Sequence, residues 1–200
     1  LMGALMNSPP SGNDLKTMQF VPEHPAWPVI SEVLCNPVNE DCDEFVEFYF
    51  PGPGQVDMSR FTITDDDTGD ILVAFDTPFL TQGGHGLLMD PEYENGSQPY
   101  DIPPGTVVIY PGNTTIGDGL SGTDPVILLH DSVPVSVYGT PEIPGDNIPF
   151  DPGTGLSVER IEWSLPDAPA SWYSSGMGPT PGSPPQGITQ GVDYAVSSIR

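Results

Sequence analysis

Four aspartates in one short turn are the residues whose types and spacing most clearly suggest chemistry. The segment TDDDTGD places Asp65, Asp66, Asp67 and Asp70 around a glycine, between two apolar runs. Calcium binds several oxygen atoms from carboxylates and backbone carbonyls on loops, so we predict Asp65, Asp67 and Asp70 as candidate ligands. The turn is not an EF-hand, which needs a longer loop ending in glutamate, and the alternative is an acidic hairpin in water. Two other acidic turns are weaker candidates: Asp118 with Asp124, and Asp146 with Asp151.

The only two cysteines, Cys35 and Cys42, leave two interpretations open. A structural zinc site needs a second pair of ligands, and none accompanies this pair. Thioredoxin-type redox chemistry uses a closer C-x-x-C spacing than the one found here. The two residues therefore either form a disulfide that closes a small loop or remain as buried thiols.

The sequence contains no clear motif for catalysis. The three histidines, His24, His85 and His130, lie in a proline-flanked segment, a glycine-rich turn and a strand end. The segment GLSGT does not match the G-x-S-x-G turn that presents a serine nucleophile, and no helix follows it. The chain has 28 acidic residues, so carboxylate pairs arise by chance and do not indicate glycoside hydrolysis. We expect no independent catalytic activity.

The scarce basic residues and the C-terminal aromatics have mainly structural interpretations. Arg160 lies in an apolar run, and we predict that its guanidinium forms a buried ion pair with a carboxylate such as Glu47 or Glu32. Three aromatic residues near the C-terminal run could form a carbohydrate platform, but such residues more often pack in the rim and core of a sandwich. They are Trp163, Trp172 and Tyr173.

The charge balance limits the partners of this chain. Acidic residues outnumber basic ones by 28 to 4, which gives a formal net charge of -24. Such a surface repels phosphate backbones and anionic lipids, so we expect neither nucleic acid nor membrane as a partner. No apolar run approaches the ~20 residues of a membrane-spanning helix. Cations, cationic surfaces and neutral ligands remain as candidates.

The elements that must position these residues are short strands. The chain contains 26 prolines and 23 glycines, and its longest stretch without either is 55–68. Helices of ordinary length therefore have almost no place, and an all-β fold with about nine strands is predicted. Turn signals separate nine apolar runs: 28–34, 44–50, 60–64, 70–75, 86–90, 106–110, 125–131, 133–139 and 156–163.

Six segments in chain order resemble a known family. They are VISEVLCNP, DEFVEFYFPGPGQVDMSRFTITD, GGHGLLMDPEYENGSQPYDIPPGTVVI, DGLSGTDPVILLHD, GLSVERI and DAPASWYSSGMGPTPGSPP. In this order they resemble the strands and the closing W…TPG motif of the lamin tail domain family, in its bacterial secreted form. The sequence departs from the family at Arg60 and Phe61, where glycine and tryptophan are usual.

The resemblance implies an immunoglobulin-like β-sandwich, one domain over residues 28–186, with loose arms at 1–27 and 187–200. It places Cys35 at the end of one strand and Cys42 just before the next, which implies a disulfide and hence an oxidising compartment. We therefore expect a piece of a longer exported protein, extracellular or on the cell surface, with its export signal upstream.

The resemblance also implies no established catalytic residues. The function expected from it is a non-catalytic module for surface display, adhesion or partner binding. The alternative is a calcium-stabilised accessory domain that positions a neighbouring hydrolase. We expect no cofactor other than calcium. The expected partners are neighbouring domains of the same polypeptide and protein or glycan surfaces.

Overall fold

The computed structural model describes residues 26–184, with gaps at 40–41, 66–68, 75–76, 94–98, 118, 123–124, 140–150 and 177. Within these residues the chain forms strands and two three-residue 3-10 helices, Met58–Arg60 and Pro169–Ser171, and no α-helix. None of the helices in this part of the chain is long and apolar enough to span a membrane. The strands are β1 (Val29–Leu34), β2 (Phe45–Tyr49), β3 (Gln55–Asp57), β4 (Phe61–Thr64), β5 (Gly69–Ala74), β6 (Phe79–Thr81), β7 (His85–Met89), β8 (Val107–Pro111), β9 (Val126–His130), β10 (Val133–Tyr138), β11 (Val158–Arg160) and β12 (Trp172–Ser174).

The predicted all-β fold with almost no helix is confirmed. Each of the nine predicted apolar runs overlaps one strand, because proline- and glycine-rich turns interrupt the chain before a helix can form. Three further strands, β3, β6 and β12, lie outside these runs and are each three residues long. The predicted arms at 1–27 and 187–200, except residues 26 and 27, lie outside the described residues.

Ten strands form one continuous sheet, which differs from the two separate sheets of a simple sandwich. Its strand order is β10-β9-β4-β5-β8-β7-β2-β1-β11-β12, and β3 with β6 forms a separate ribbon. Neighbouring strands are antiparallel except β7 and β8, which are parallel. The sheet curls so that β10 packs near β1, where the Ile30 N–H donates a hydrogen bond of 2.9 Å to Ser136 Oγ.

Two apolar clusters cover opposite faces of the strands around β2. The larger cluster fills the curl of the sheet and includes Val46 and Phe48 from β2. The smaller cluster includes Phe45, together with Leu87 and Met89 from β7. Because successive side chains of a strand point to opposite faces, Glu47 lies on the same face as the smaller cluster.

Candidate functional site

Three buried glutamates lie side by side on neighbouring strands. Glu32 on β1 is directly opposite Glu47 on β2 and directly opposite Glu159 on β11. Their exposed fractions are 2%, 2% and 1%. We call these three residues the carboxylate row. Acidic side chains are almost never fully buried without partners, so the contacts of the row determine what it can do.

Backbone N–H groups from residues 178–184, which we call the closing segment, cover part of the row. Thr180 N donates a hydrogen bond of 2.9 Å to Glu32 Oε1, and Gly182 N donates one of 2.5 Å to Glu47 Oε2. Gly182 has φ +77°, and a Cβ there would lie 2.4 Å from Thr106 Oγ1. The TPG motif therefore places two N–H donors over two carboxylates, and it requires glycine at its last position.

Side chains supply the other donors to the row. Ser31 Oγ donates to Glu47 Oε1 at 2.5 Å. His85 Nδ1 lies 3.2 Å from the same oxygen but does not have the geometry of a hydrogen bond. The Tyr173 hydroxyl donates to Glu159 Oε2. The other oxygen, Glu159 Oε1, is buried and has no hydrogen-bond partner. A buried acceptor without a donor is costly, so this oxygen marks an incomplete part of the site.

The pKa of Glu32 is raised from 4.5 to about 8. Burial is the main cause, followed by the charge of Glu47 and, to a lesser extent, the charge of Glu159. The Ser157 hydroxyl and the Thr180 N–H act in the opposite direction by stabilising the charged form. Around neutral pH the Glu32 carboxyl therefore keeps its proton in a large share of molecules, which reduces the negative charge of the row.

A cavity of about 240 Å³ adjoins the carboxylate row. All three glutamates line it, with aromatic and imidazole side chains on β2, β7 and the segment after β11. Glu162 and the end of the closing segment complete its rim. The lining residues outside the row that matter below are Tyr49, His85, Glu162 and Trp163.

The predicted ion pair between Arg160 and Glu47 is wrong. Arg160 donates to three backbone carbonyls, those of Ile30 at 2.9 Å, Val137 at 3.1 Å and Leu165 at 2.7 Å. Its guanidinium carbon also lies 4.4 Å from the ring centre of Trp172. Arg160 follows Glu159 on β11, so it points to the face opposite the row and cannot reach Glu47 or Glu32. Burial lowers the pKa of Arg160 to about 10, an effect that the charge of Asp167 opposes.

The structure brings together two of the three predicted calcium ligands. Asp70 accepts hydrogen bonds of 2.7 Å from Asn113 Nδ2 and from Gly117 N. Asp65 is buried, and its carboxylate packs against Gly117. Asp67 lies outside the described residues. Among the residues that are described, no group of three or more His, Cys, Asp or Glu side chains is arranged to hold a metal.

Of the weaker calcium candidates, only Asp151 lies within the described residues. Asp118, Asp124 and Asp146 lie outside the described residues. Asp151 is exposed and accepts hydrogen bonds from Asn36 Nδ2 at 2.8 Å and Gly153 N at 2.7 Å. Its carboxylate therefore fastens the loop before β11 to the end of β1.

The predicted disulfide is not present in the structure. Cys35 and Cys42 are both buried thiols. Cys42 Sγ accepts from Asn39 Nδ2 at 2.7 Å and lies 3.5 Å from Asp43 Oδ1. Both cysteines are therefore buried thiols, which was the second of the two interpretations of the sequence.

The predicted aromatic platform is divided between two locations. Trp172 is buried, donates from Nε1 to Asp167 at 2.8 Å, and contacts Tyr138 edge-on. Trp163 lines the cavity beside the row, and Tyr173 binds Glu159.

Of the histidines, His85 contacts the row, whereas His130 stacks on Trp27. His24 lies outside the described residues.

A second, larger concavity of about 940 Å³ lies on the other side of the closing segment. We call it the proline groove, because five prolines line it: Pro99, Pro103, Pro104, Pro179 and Pro181. Tyr100 contributes a wall, where it stacks on Tyr93 at 5.5 Å and donates to the carbonyl of Asp43 at 2.6 Å. Val38, at 85% exposure, lies at its edge.

Comparisons with known proteins give no relative: no family model, no curated protein and no solved structure matches this chain. From the sequence, Glu32 and Glu47 were predicted only as partners for Arg160, and Glu159 was not predicted as part of any site. The available signal was a glutamate at an apolar position in each of three strand-like runs.

Proposed function

We propose that this chain is a non-catalytic, immunoglobulin-like β-sandwich module of the bacterial lamin tail type. In this proposal it belongs to a larger exported protein and serves in surface display, adhesion or partner binding. The observation that supports the proposal best is the proline groove, a broad concavity with pre-shaped walls. Glu32 and Glu47 of the carboxylate row accept hydrogen bonds from the closing segment and hold it in place beside the groove.

The chemistry of the proline groove favours a basic segment of a protein partner or of a neighbouring domain. Proline side chains and the stacked Tyr100 ring lose little conformational entropy on binding, so a partner meets a preorganised surface. Asp43 and Asp101 line the same groove, and the whole chain has a net charge of -24. Electrostatic complementarity therefore selects positively charged partners and disfavours acidic ones.

The test uses an array of peptides with graded charge and two matched valine variants. V38R places a positive, bulky side chain at the edge of the groove, whereas V133R makes the same change at the exposed Val133 of β10. We expect basic peptides to bind wild type and V133R, and binding to V38R to be weaker by about tenfold. Equal binding to both variants, or no peptide binding at all, would contradict a groove-based function. Binding to glycans alone would instead favour a carbohydrate partner.

The alternative function is a calcium-stabilised accessory domain that positions a neighbouring hydrolase. It is favoured by the approach of Asp65 and Asp70 to the same glycine, Gly117. A ligand that binds only the folded state, at a hundred times its dissociation constant, adds ~2.7 kcal/mol. If calcium binds here, it will raise the melting temperature by several degrees relative to magnesium and chelator at fixed ionic strength. D65N will abolish that rise, and D101N will not. Equal melting temperatures in all three conditions would exclude the alternative.

A further inference from the structure

The carboxylate row has more negative charge than the described basic residues balance. Arg160 points to the opposite face, and Arg60 makes an exposed ion pair with Asp131 at 3.8 Å. The basic group at the row is His85, which contacts Glu47. Buried charges without opposite charges are costly, so a proton or a positively charged guest must offset part of this charge.

The hydrogen bonds of the row show which carboxylate oxygen lacks a donor. Glu47 accepts from Ser31 and from the closing segment, and Glu32 accepts from Thr180. Glu159 receives only the Tyr173 hydroxyl, on Oε2, while Oε1 is buried without a donor. The incomplete acceptor therefore belongs to the residue at one end of the row, and this residue also lines the cavity.

The size and lining of the cavity indicate the chemistry of the guest. A volume of about 240 Å³ has room for one side-chain head group. Tyr49 and Trp163 at its walls can face a cation with their rings. A bare metal ion is disfavoured, because the described residues hold no suitable group of three ligands. A planar cation with several N–H donors matches adjacent carboxylates better than a point charge does.

We propose that the cavity beside the carboxylate row binds a guanidinium group, which donates hydrogen bonds to Glu159 and is held by the charge of the row. Its source is either a small guanidinium compound or an arginine side chain of a protein partner. The site is separate from the proline groove, since the closing segment lies between them and only Ser183 lines both concavities. The proposal does not depend on what binds in the groove.

The first experiment titrates the intact protein with two probes, ethylguanidinium and a short arginine peptide, by calorimetry and NMR. The matched neutral probes are ethylurea and the same peptide with citrulline. We expect both guanidinium probes to bind and the neutral ones not to bind. Binding of the peptide without ethylguanidinium would support the site with an arginine side chain as the source. No binding of either guanidinium probe, or equal binding of the citrulline peptide, would overturn the proposal.

Two variants separate the cavity from the groove. E159Q removes the charge at the incomplete end of the row but keeps an oxygen that can accept from Tyr173. We expect its affinity for the guanidinium probes to fall about tenfold, the loss typical of one charge-assisted hydrogen bond. D101N removes the same charge from the groove and is expected to retain wild-type affinity. The reverse pattern would assign the probes to the groove and overturn the proposal.

The pH dependence of binding provides a test that requires no variant. Protonation of the row reduces its negative charge, so a guanidinium guest and a proton compete for the site. We expect ethylguanidinium to bind more weakly near pH 5 than near pH 8.5, by about tenfold or more for one competing proton. An unchanged affinity over this range would overturn the proposal. The ionisable groups that face Glu32 or line its cavity are Glu47 and Tyr49 (β2), His85 (β7), Tyr100 (before β8), Glu159 (β11), Glu162 (after β11) and Tyr173 (β12). Arg160 also borders the cavity, but its guanidinium donates to backbone carbonyls on the opposite face.

Discussion

Replacing Glu32 with glutamine tests whether the carboxylate row makes the protein less stable as the pH rises. Burial, together with the charges of Glu47 and Glu159, raises the pKa of Glu32 from 4.5 to about 8 in the folded protein. In the unfolded chain the carboxyl returns to its ordinary pKa. Between these two values the folded protein holds a proton that the unfolded chain has released. The stability present below about pH 4.5 is therefore lost as the pH rises through about 8.

The size of this effect follows from the two pKa values. At roughly 1.4 kcal/mol per pH unit, the interval from 4.5 to about 8 corresponds to about 5 kcal/mol of unfolding free energy. Glutamine does not ionise, but its oxygen can still accept the hydrogen bond from Thr180 N. We therefore expect E32Q to resemble wild type near pH 5 and to be more stable by several kcal/mol near pH 8.

The assay is urea unfolding followed by tryptophan fluorescence at several pH values between 5 and 8, at fixed salt. E162Q is the matched control, because it removes one exposed negative charge at the rim of the same cavity. We expect E162Q to lose stability with rising pH as wild type does, and E32Q to lose much less. Parallel stability curves for wild type and E32Q would refute the assignment of the proton to Glu32.

Three further changes test other parts of the structure. R160K should lower the unfolding free energy by about 2 to 4 kcal/mol, because lysine cannot donate to three fixed carbonyls. R60K is the control: it changes an exposed ion pair and should alter the unfolding free energy by at most ~0.5 kcal/mol. Equal losses in the two variants would contradict the buried role of Arg160. Both Gly117 and Gly119 have positive φ, but only at Gly117 would an added Cβ meet a carboxylate oxygen, Asp65 Oδ2, at 2.5 Å. G117A should therefore lower the melting temperature more than G119A does. Reductant should leave the melting temperature unchanged, and alkylation after unfolding in the absence of reductant should label both cysteines. A fall of several degrees in the melting temperature on adding reductant would show that a disulfide forms.

The sequence by itself determined nine of the twelve described strands. Proline and glycine leave no room for helices, and each apolar run between turn signals overlaps a strand. The short strands β3, β6 and β12 had no such run, because they form by pairing with a neighbour rather than by burying a continuous apolar segment. The joining of ten strands into one sheet also depends on pairings between distant segments, such as β1 with β11, which no local pattern specifies.

Only the tertiary structure decided the site. Glu32, Glu47 and Glu159 each lie within an apolar run, but their alignment depends on the register of β2, β1 and β11. The same register explains why the predicted partner of Arg160 was wrong: Arg160 follows Glu159, and a shift of one residue along a strand turns a side chain to the opposite face. Composition and turn chemistry are local properties, whereas register is set by contacts between residues far apart in the chain.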